Sequence, residues 1–117
     1  MARILVIDDD AMVRNTITAI LDVNGHDVIE AIDGEEGLRA YRQDPADLVI
    51  TDVQMPIKTG DEVIRELRAD FPDLKILALT AYEDHFANKP HKPDLSLPKP
   101  FSVSQLADAV NDLLKAD

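Results

Sequence analysis

Apolar positions recur along this chain with two alternating periods. Short apolar runs, rich in Val, Ile and Leu, are followed by acidic, threonine or proline residues. Runs of this length between chain-breaking residues predict buried β-strands. The predicted strands are Ile4–Ile7, a second beginning at Val28-Ile29 and closing by Asp33-Gly34, Leu48–Thr51, Ile76–Leu79 and the brief Leu95–Leu97.

In most of the intervals between these strands, apolar residues recur at the spacing of an α-helix. In the first interval, Val13, Ile17, Ile20 and Leu21 recur at three- and four-residue spacing, and Asn24-Gly25 supplies a stop. The pattern predicts helices over Ala11–Val23, Glu35–Gln43 and Asp61–Ala69, and a last helix capped by Ser102 or Ser104.

Strand–helix alternation of this kind predicts one α/β domain over residues 1–117, with a doubly wound parallel sheet covered on both faces. For five strands with right-handed crossovers, the expected order is 2-1-3-4-5. A ligand crevice then lies at the carboxyl ends of strands one and three. We expect no further domain in the chain.

The alternation of strands and helices is interrupted between the fourth and fifth predicted strands. Four of the seven prolines lie between residues 90 and 100, and proline disrupts a helix interior. Residues 82–88 have room for two turns at most before Lys89-Pro90. The sequence therefore predicts that a helix at this point is short, displaced or missing, and that the segment 83–94 is mobile.

The charge composition limits the kinds of molecule that this protein is expected to bind. The chain has 12 basic and 23 acidic residues, a formal net charge of −11, and no cysteine. Such a surface repels nucleic acids and anionic membranes and favours a cation or a basic protein surface. No apolar run reaches the roughly 18 residues of a membrane span. A cytoplasmic protein without disulfides is expected.

Polar side chains follow four of the predicted strands at their carboxyl ends, which meet at one edge of a parallel sheet. The groups are Asp8-Asp9-Asp10, Asp52, Thr80 and Lys99. Each has an ordinary explanation by itself, since aspartate after a strand often caps the next helix. Asp10, nearest the helix, is the expected cap.

Taken together these groups predict phosphoryl chemistry. Neighbouring carboxylates need a cation, and Mg²⁺ prefers carboxylate and phosphate oxygens. Asp52 can bind metal and also act as a nucleophile, since carboxylates form acyl phosphates. Thr80 and Lys99 would then bind the remaining phosphoryl oxygens.

Four segments give the chain a clear resemblance. These are VIDDD (6–10), LVITDVQMPIKTG (48–60), ILALTA (76–81) and LPKPF (97–101). Nearly the whole chain resembles a response regulator receiver domain, which implies a flavodoxin-like fold, Mg²⁺ as cofactor, and a sensor histidine kinase or histidine phosphotransfer protein as phosphodonor.

The resemblance also implies individual roles. Asp52 matches the phosphoacceptor, Thr80 the switch hydroxyl and Lys99 the family lysine, with a cis Lys99-Pro100 bond. The implied metal ligands are Asp9 directly, Asp8 through water, Asp52, and the main-chain carbonyl of Gln54. Ala81 matches the small residue that leaves room for the phosphoryl group. Gln54 and Tyr82 match positions that tune a self-catalysed dephosphorylation.

One departure from the family concerns its conformational switch, in which an aromatic residue swings inward when the threonine hydroxyl binds the phosphoryl group. Ser96 stands where the family usually has an aromatic residue, unless Tyr82 or Phe86 substitutes for it. Signalling in trans to an unknown protein partner is expected, with no direct contact to nucleic acid or membrane. His85 and His91, with Asp84 and Asp94, are better explained as solvated loop charges than as a metal site.

Two other functions compete with the phosphoacceptor. A degenerate receiver would serve only as a phosphorylation-independent binding module, and the altered switch keeps this open. A magnesium-dependent phosphatase of the haloacid dehalogenase type also uses an aspartate nucleophile, and a D-x-D pattern can be found at Asp8-Asp9-Asp10. That class needs a cap or a further acidic pair downstream, and no strand end past Thr80 in this sequence supplies two acids.

Overall fold

The computed structural model describes residues 2–82 and 84–115. Five parallel strands form one sheet in the order β2-β1-β3-β4-β5, which confirms the predicted fold class. The strands are β1 (Arg3–Ile7), β2 (Asp27–Ala31), β3 (Leu48–Asp52), β4 (Lys75–Thr80) and β5 (Leu95–Pro98). The helices are α1 (Ala11–Val23), α2 (Gly34–Gln43), α3 (Gly60–Asp70) and α4 (Val103–Lys115).

The strands are apolar throughout because both faces of the sheet are covered. Along β1, Leu5 and Ile7 point to the core shared with α2 and α3, whereas Ile4 and Val6 point to the core shared with α1 and α4. All four side chains are at most 1% exposed. This two-residue alternation explains why the strand reads as an unbroken apolar run.

Side chains cap the helices close to the predicted positions. The Asp10 carboxylate accepts hydrogen bonds from the backbone of Met12 and Val13, which confirms Asp10 as the cap of α1. Before α4, Ser102 accepts a bond from the Gln105 N–H at 3.1 Å and donates its own N–H to the Gln105 side chain at 2.8 Å. Ser102, rather than Ser104, is therefore the cap.

The link between β4 and β5 contains turns and no helix in its described part, residues 81–82 and 84–94. Backbone bonds from Ala87 to Asp84 and from Lys89 to Phe86 close successive tight turns. The prediction of a missing helix is confirmed for these residues. The mobility expected for 83–94 stays a prediction, and residue 83 lies outside the described residues.

Within the described ranges, no helix is both long enough and apolar enough to cross a bilayer.

Candidate functional site

The sheet brings the acidic residues of two strands together. In the register of β1 and β3, Ile7 lies beside Thr51, so the residues that follow, Asp8 and Asp52, are neighbours. Asp8 is fully buried, Asp52 is 8% exposed, and Asp9 is exposed. One carboxylate oxygen from each of the three lies within 4.8 Å of the others.

Lys99 completes this cluster from the end of β5. Its Nζ lies 3.1 Å from Oδ1 of Asp52 and 3.5 Å from Oδ2 of Asp8. The Lys99 N–H donates to the Thr80 carbonyl oxygen at 2.8 Å, and the Lys99-Pro100 bond is cis, as predicted. Burial alone lowers the pKa of Lys99, but the hydrogen bond and charge of Asp52, with the charge of Asp8, outweigh it and raise that pKa. The ammonium is therefore held charged against the carboxylates.

Asp8 has the least favourable environment of the cluster. Burial, and the charges of Asp52 and Asp9, raise the pKa of Asp8, although the Asp10 N–H and Lys99 partly oppose them. Oδ1 accepts the Asp10 N–H at 2.9 Å, whereas Oδ2 accepts no hydrogen bond from the described residues. Its approach to Lys99 is an ion pair without hydrogen-bond geometry.

This donor set fits a hard cation. Three clustered carboxylates, one with a buried oxygen that lacks a hydrogen-bond donor, match the oxygen ligands that Mg²⁺ takes in proteins. Within the described residues this is the one group of three or more possible ligands. Asp8, Asp9 and Asp52 are thus brought together as the sequence predicted.

The raised pKa of Asp8 has a consequence for stability in the presence of a chelator. A carboxyl group with a raised folded-state pKa stabilises the protein below its unfolded-state pKa, and this contribution is lost as pH rises through the folded-state pKa. We expect Asp8→Asn to be more stable than the wild type at pH 7, and the gap in stability to narrow as pH falls through the raised pKa of Asp8. Urea midpoints of both chains at each pH test this. A gap independent of pH would contradict it.

Thr80 is buried at the end of β4, and its hydroxyl is engaged locally. The hydroxyl donates to the Tyr82 carbonyl oxygen at 3.2 Å and accepts the Tyr82 N–H at 3.1 Å. Binding a phosphoryl oxygen would require this hydroxyl to leave the turn. Ala81 and the Tyr82 side chain are exposed, and Phe86 lies in the core under the sheet. Ser96, exposed on β5, pairs with Ala78.

The loop after β3 holds Asp52 in place. The Val53 N–H donates to Oδ1 of Asp52 at 2.9 Å, and the Gly60 N–H donates to the Val53 carbonyl oxygen at 2.8 Å. Gly60 packs so closely against the backbone of Asp52 that a Cβ would stand 2.7 Å from the Cα of Val53. Gln54 is exposed in this loop, and its role as a ligand stays a prediction.

Arg14 is a supporting residue that the sequence reasoning missed. Its Nη1 donates to the Asp8 carbonyl oxygen at 2.8 Å, while Nε donates to Glu30 on β2 at 2.9 Å. Arg14 therefore braces the backbone that carries the acidic pair. The available signal was its spacing, because Arg14 shares the stripe of Ile17 and Leu21 on the inward side of α1.

Two of the four loop side chains that were expected to be solvated, His85 and Asp94, are instead paired with residues of α3. His85 pairs with Asp61 on α3 at 2.8 Å, and Asp94 pairs with Arg68 at 2.8 Å. Asp94 also accepts the Ile76 N–H at 2.7 Å. Both residues tie the loop to the body of the domain.

The fold and the site define a class of protein. It is a doubly wound α/β domain in which an acidic cluster and a lysine meet at the carboxyl ends of the parallel strands. The family model of the response regulator receiver domain matches residues 4–111 of this chain. The chain belongs to this family.

Relatives and solved structures agree with this assignment. The chain is 41% identical to the response regulator MprA of Mycolicibacterium vanbaalenii over 116 residues, which are 97% of this chain and 50% of that protein. It therefore spans about half the length of such relatives. A receiver domain from Clostridium thermocellum superposes with a TM-score of 0.88 at 32% identity, covering 97% of this chain and 94% of that one. The chemotaxis response regulator CheY4 of Vibrio cholerae superposes with a TM-score of 0.90 at 30% identity, covering 97% and 98%.

Proposed function

We propose that the chain accepts a phosphoryl group on Asp52 from a phosphohistidine of a sensor kinase or phosphotransfer protein, and signals by protein contact. The observation that carries this is the placement of the Asp52 carboxylate, 3.1 Å from Lys99 and beside two further carboxylates at the rim of the sheet. A structural ion pair would need only one carboxylate. The surplus negative charge suits a cation and a phosphoryl group bound together.

Asp52 is oriented as a nucleophile. Its Oδ1 accepts the Val53 N–H and contacts Lys99, while Oδ2 accepts no hydrogen bond within the described residues. A carboxylate oxygen of Asp52 attacks phosphorus, the new P–O bond forms, and the P–N bond to the donor imidazole breaks. The electron pair of that bond stays on the imidazole nitrogen, which takes up a proton. Lys99 binds a phosphoryl oxygen, and the Thr80 hydroxyl does so after it leaves its turn.

The acidic residues would hold Mg²⁺ for this transfer. Asp8, Asp9, Asp52 and the Gln54 carbonyl are the proposed ligands, and an ion held by them would neutralise charge on the transferred group. Asp8 and Asp9 have no nucleophilic part in this proposal. Tyr82 and Gln54, both exposed near the strand ends, are the proposed determinants of phosphoryl lifetime.

Acetyl phosphate tests the reaction without a partner protein. With Mg²⁺ in excess, the mass of the intact chain is expected to rise by one phosphoryl group and no more. With a chelator, the labelled fraction is expected to fall by roughly tenfold or more, because the clustered carboxylates then repel the phosphate.

The alternatives predict other outcomes in the same assay. A phosphatase of the haloacid dehalogenase type would release phosphate in many turnovers from a phosphomonoester. A phosphorylation-independent binding module would show no labelling at all, and that result would remove the leading proposal. Loss of labelling in Lys99→Ala would not discriminate between these three functions, because the lysine can serve signalling as well as phosphoryl transfer.

A further inference from the structure

Ile57 has a backbone conformation that isoleucine rarely adopts. Its φ is 70°, and the Lys58 N–H donates to the Pro56 carbonyl oxygen at 2.7 Å, so Ile57 is the central residue of a γ-turn of the rare, positive-φ form. This form is strained, and a branched Cβ adds to the strain because it crowds the backbone at positive φ. Ile57 is the one residue other than glycine with a positive φ within the described ranges.

The residues around Ile57 are fixed, which explains how the strained turn persists. On one side, Met55 is buried in the core shared with α2 and α3. On the other side, the Lys58 ammonium pairs with Glu66 on α3. The Lys58 carbonyl oxygen also packs against α2, since a Cβ on Gly34 would stand 2.6 Å from it. These contacts on both sides hold the turn in its unfavourable conformation.

The Ile57 side chain adds little to the packing of the domain. It is 72% exposed, and it belongs to neither of the two apolar cores. Glycine would fit the same backbone without strain. A residue that is strained, exposed and apolar is therefore better explained by a contact with another molecule than by the stability of the fold.

The γ-turn lies at the tip of the loop that holds Asp52. Both ends of this loop are fixed at the phosphoacceptor, because the Val53 N–H donates to Oδ1 of Asp52 and Gly60 packs against the Asp52 backbone. Three peptide units of about 3.8 Å separate Ile57 from Gly60, so their Cα atoms are at most about 11 Å apart. A folded protein that brings a side chain to Asp52 must therefore also lie beside this turn.

Ile57 belongs to a set of exposed apolar side chains at the same edge of the sheet. In the part of the chain that the structure describes, seven large apolar side chains are exposed, and five of them lie in the segments that follow the five strands. They are Met12, Ile32, Ile57, Tyr82 and Val103, one after each strand. Because parallel strands end at one edge, all five lie at the edge that carries Asp52.

We propose that Ile57 is a specificity-determining contact to the protein that donates the phosphoryl group, and that it packs against apolar surface beside the donor's histidine. The inference rests on the proposed function, since it concerns the donor of the same reaction. Asp52 is 8% exposed, so a phosphohistidine reaches it only when the surrounding donor surface lies against these loops. The turn is fixed before the donor arrives, and docking on it therefore loses little conformational entropy.

Ile57→Gly separates docking from the chemistry at Asp52. The labelling rate with each sensor kinase and phosphotransfer protein of the source organism is divided by the labelling rate with acetyl phosphate, which needs no docking. For the donor that labels the wild type fastest, this ratio is expected to fall roughly tenfold, because one apolar contact is lost. Ile57→Leu keeps an apolar side chain and should restore most of the ratio.

The stability of Ile57→Gly tests the argument from strain. Its urea midpoint is expected not to fall, because relief of the strained turn offsets the greater freedom of glycine in the unfolded chain. A clear fall would show that isoleucine is needed for the fold, and would overturn the proposal.

Val23→Ala is the matched control. Val23 is an exposed apolar residue at the last position of α1, at the opposite edge of the sheet. The ratio of rates should be unchanged in this variant. An equal fall in Val23→Ala would show a general effect of exposed apolar surface and would contradict a specific role of Ile57.

Three further results would overturn the proposal. One is an unchanged ratio in Ile57→Gly, and another is a wild type that acetyl phosphate labels but no protein donor labels. The third is dimerisation of the unphosphorylated wild type that Ile57→Gly abolishes in sedimentation, which would assign the contact to a second copy of the chain. Failure of acetyl phosphate to label the wild type is a distinct result, because it contradicts the proposed function and removes this inference with it.

Discussion

Asp52→Asn is expected to reduce labelling by acetyl phosphate by at least roughly a hundredfold. The amide oxygen of asparagine is a poor nucleophile and cannot form an acyl phosphate. The side chain has the same size, and its oxygen can still accept the Val53 N–H that orients Asp52. The fold should therefore survive, which circular dichroism and a urea midpoint near that of the wild type would verify.

Asp10→Asn is the matched control for this substitution. Asp10 belongs to the same acidic run, but its carboxylate caps α1 instead of joining the cluster of Asp8, Asp9 and Asp52. Asparagine is also a good helix cap. We therefore expect Asp10→Asn to be labelled as fast as the wild type. Equal labelling of wild type and Asp52→Asn would place the acceptor elsewhere.

Gly60→Ala is expected to destabilise the native state by about 3 kcal/mol, which is near the upper end for overpacking a core position. The added Cβ would press against the Asp52 carbonyl oxygen and stand 2.7 Å from the Cα of Val53. Both are backbone atoms and cannot rotate away. The urea unfolding midpoint should fall sharply, and the folded fraction should label poorly because Asp52 is displaced.

Gly25→Ala separates this steric effect from the general cost of replacing a glycine. Gly25 has a φ of 85°, and a Cβ there would meet no atom within 4 Å. The cost is limited to the left-handed backbone, about 1 kcal/mol. If both variants lost equal stability, close packing of Gly60 against β3 would not be the reason for the glycine.

Local periodicity was sufficient to predict most of the fold. Helix α1 has the predicted bounds, and α3 extends one residue beyond the prediction at each end. The candidate site was also predictable, because parallel strands bring their carboxyl ends to one edge. Asp8, Asp52 and Lys99 meet there although more than 40 residues separate each from the next.

The missed features depend on pairs that are distant in sequence. His85 with Asp61, and Arg68 with Asp94, are 24 and 26 residues apart, and no short-range pattern links them. The burial of Phe86 was equally hidden, because one aromatic residue in a polar, proline-rich stretch has no periodicity. The loop was predicted to lack a long helix, but what fixes it to α3 depends on tertiary contacts alone.

Trapping the acyl phosphate with borohydride tests the central claim most directly, because reduction converts a phosphorylated aspartate to homoserine. After treatment with acetyl phosphate and Mg²⁺, peptide mass spectrometry is predicted to find homoserine at position 52 and nowhere else. Homoserine at position 8 or 9, or none in a chain that carries a phosphoryl group, would contradict the assignment of Asp52 as the phosphoacceptor.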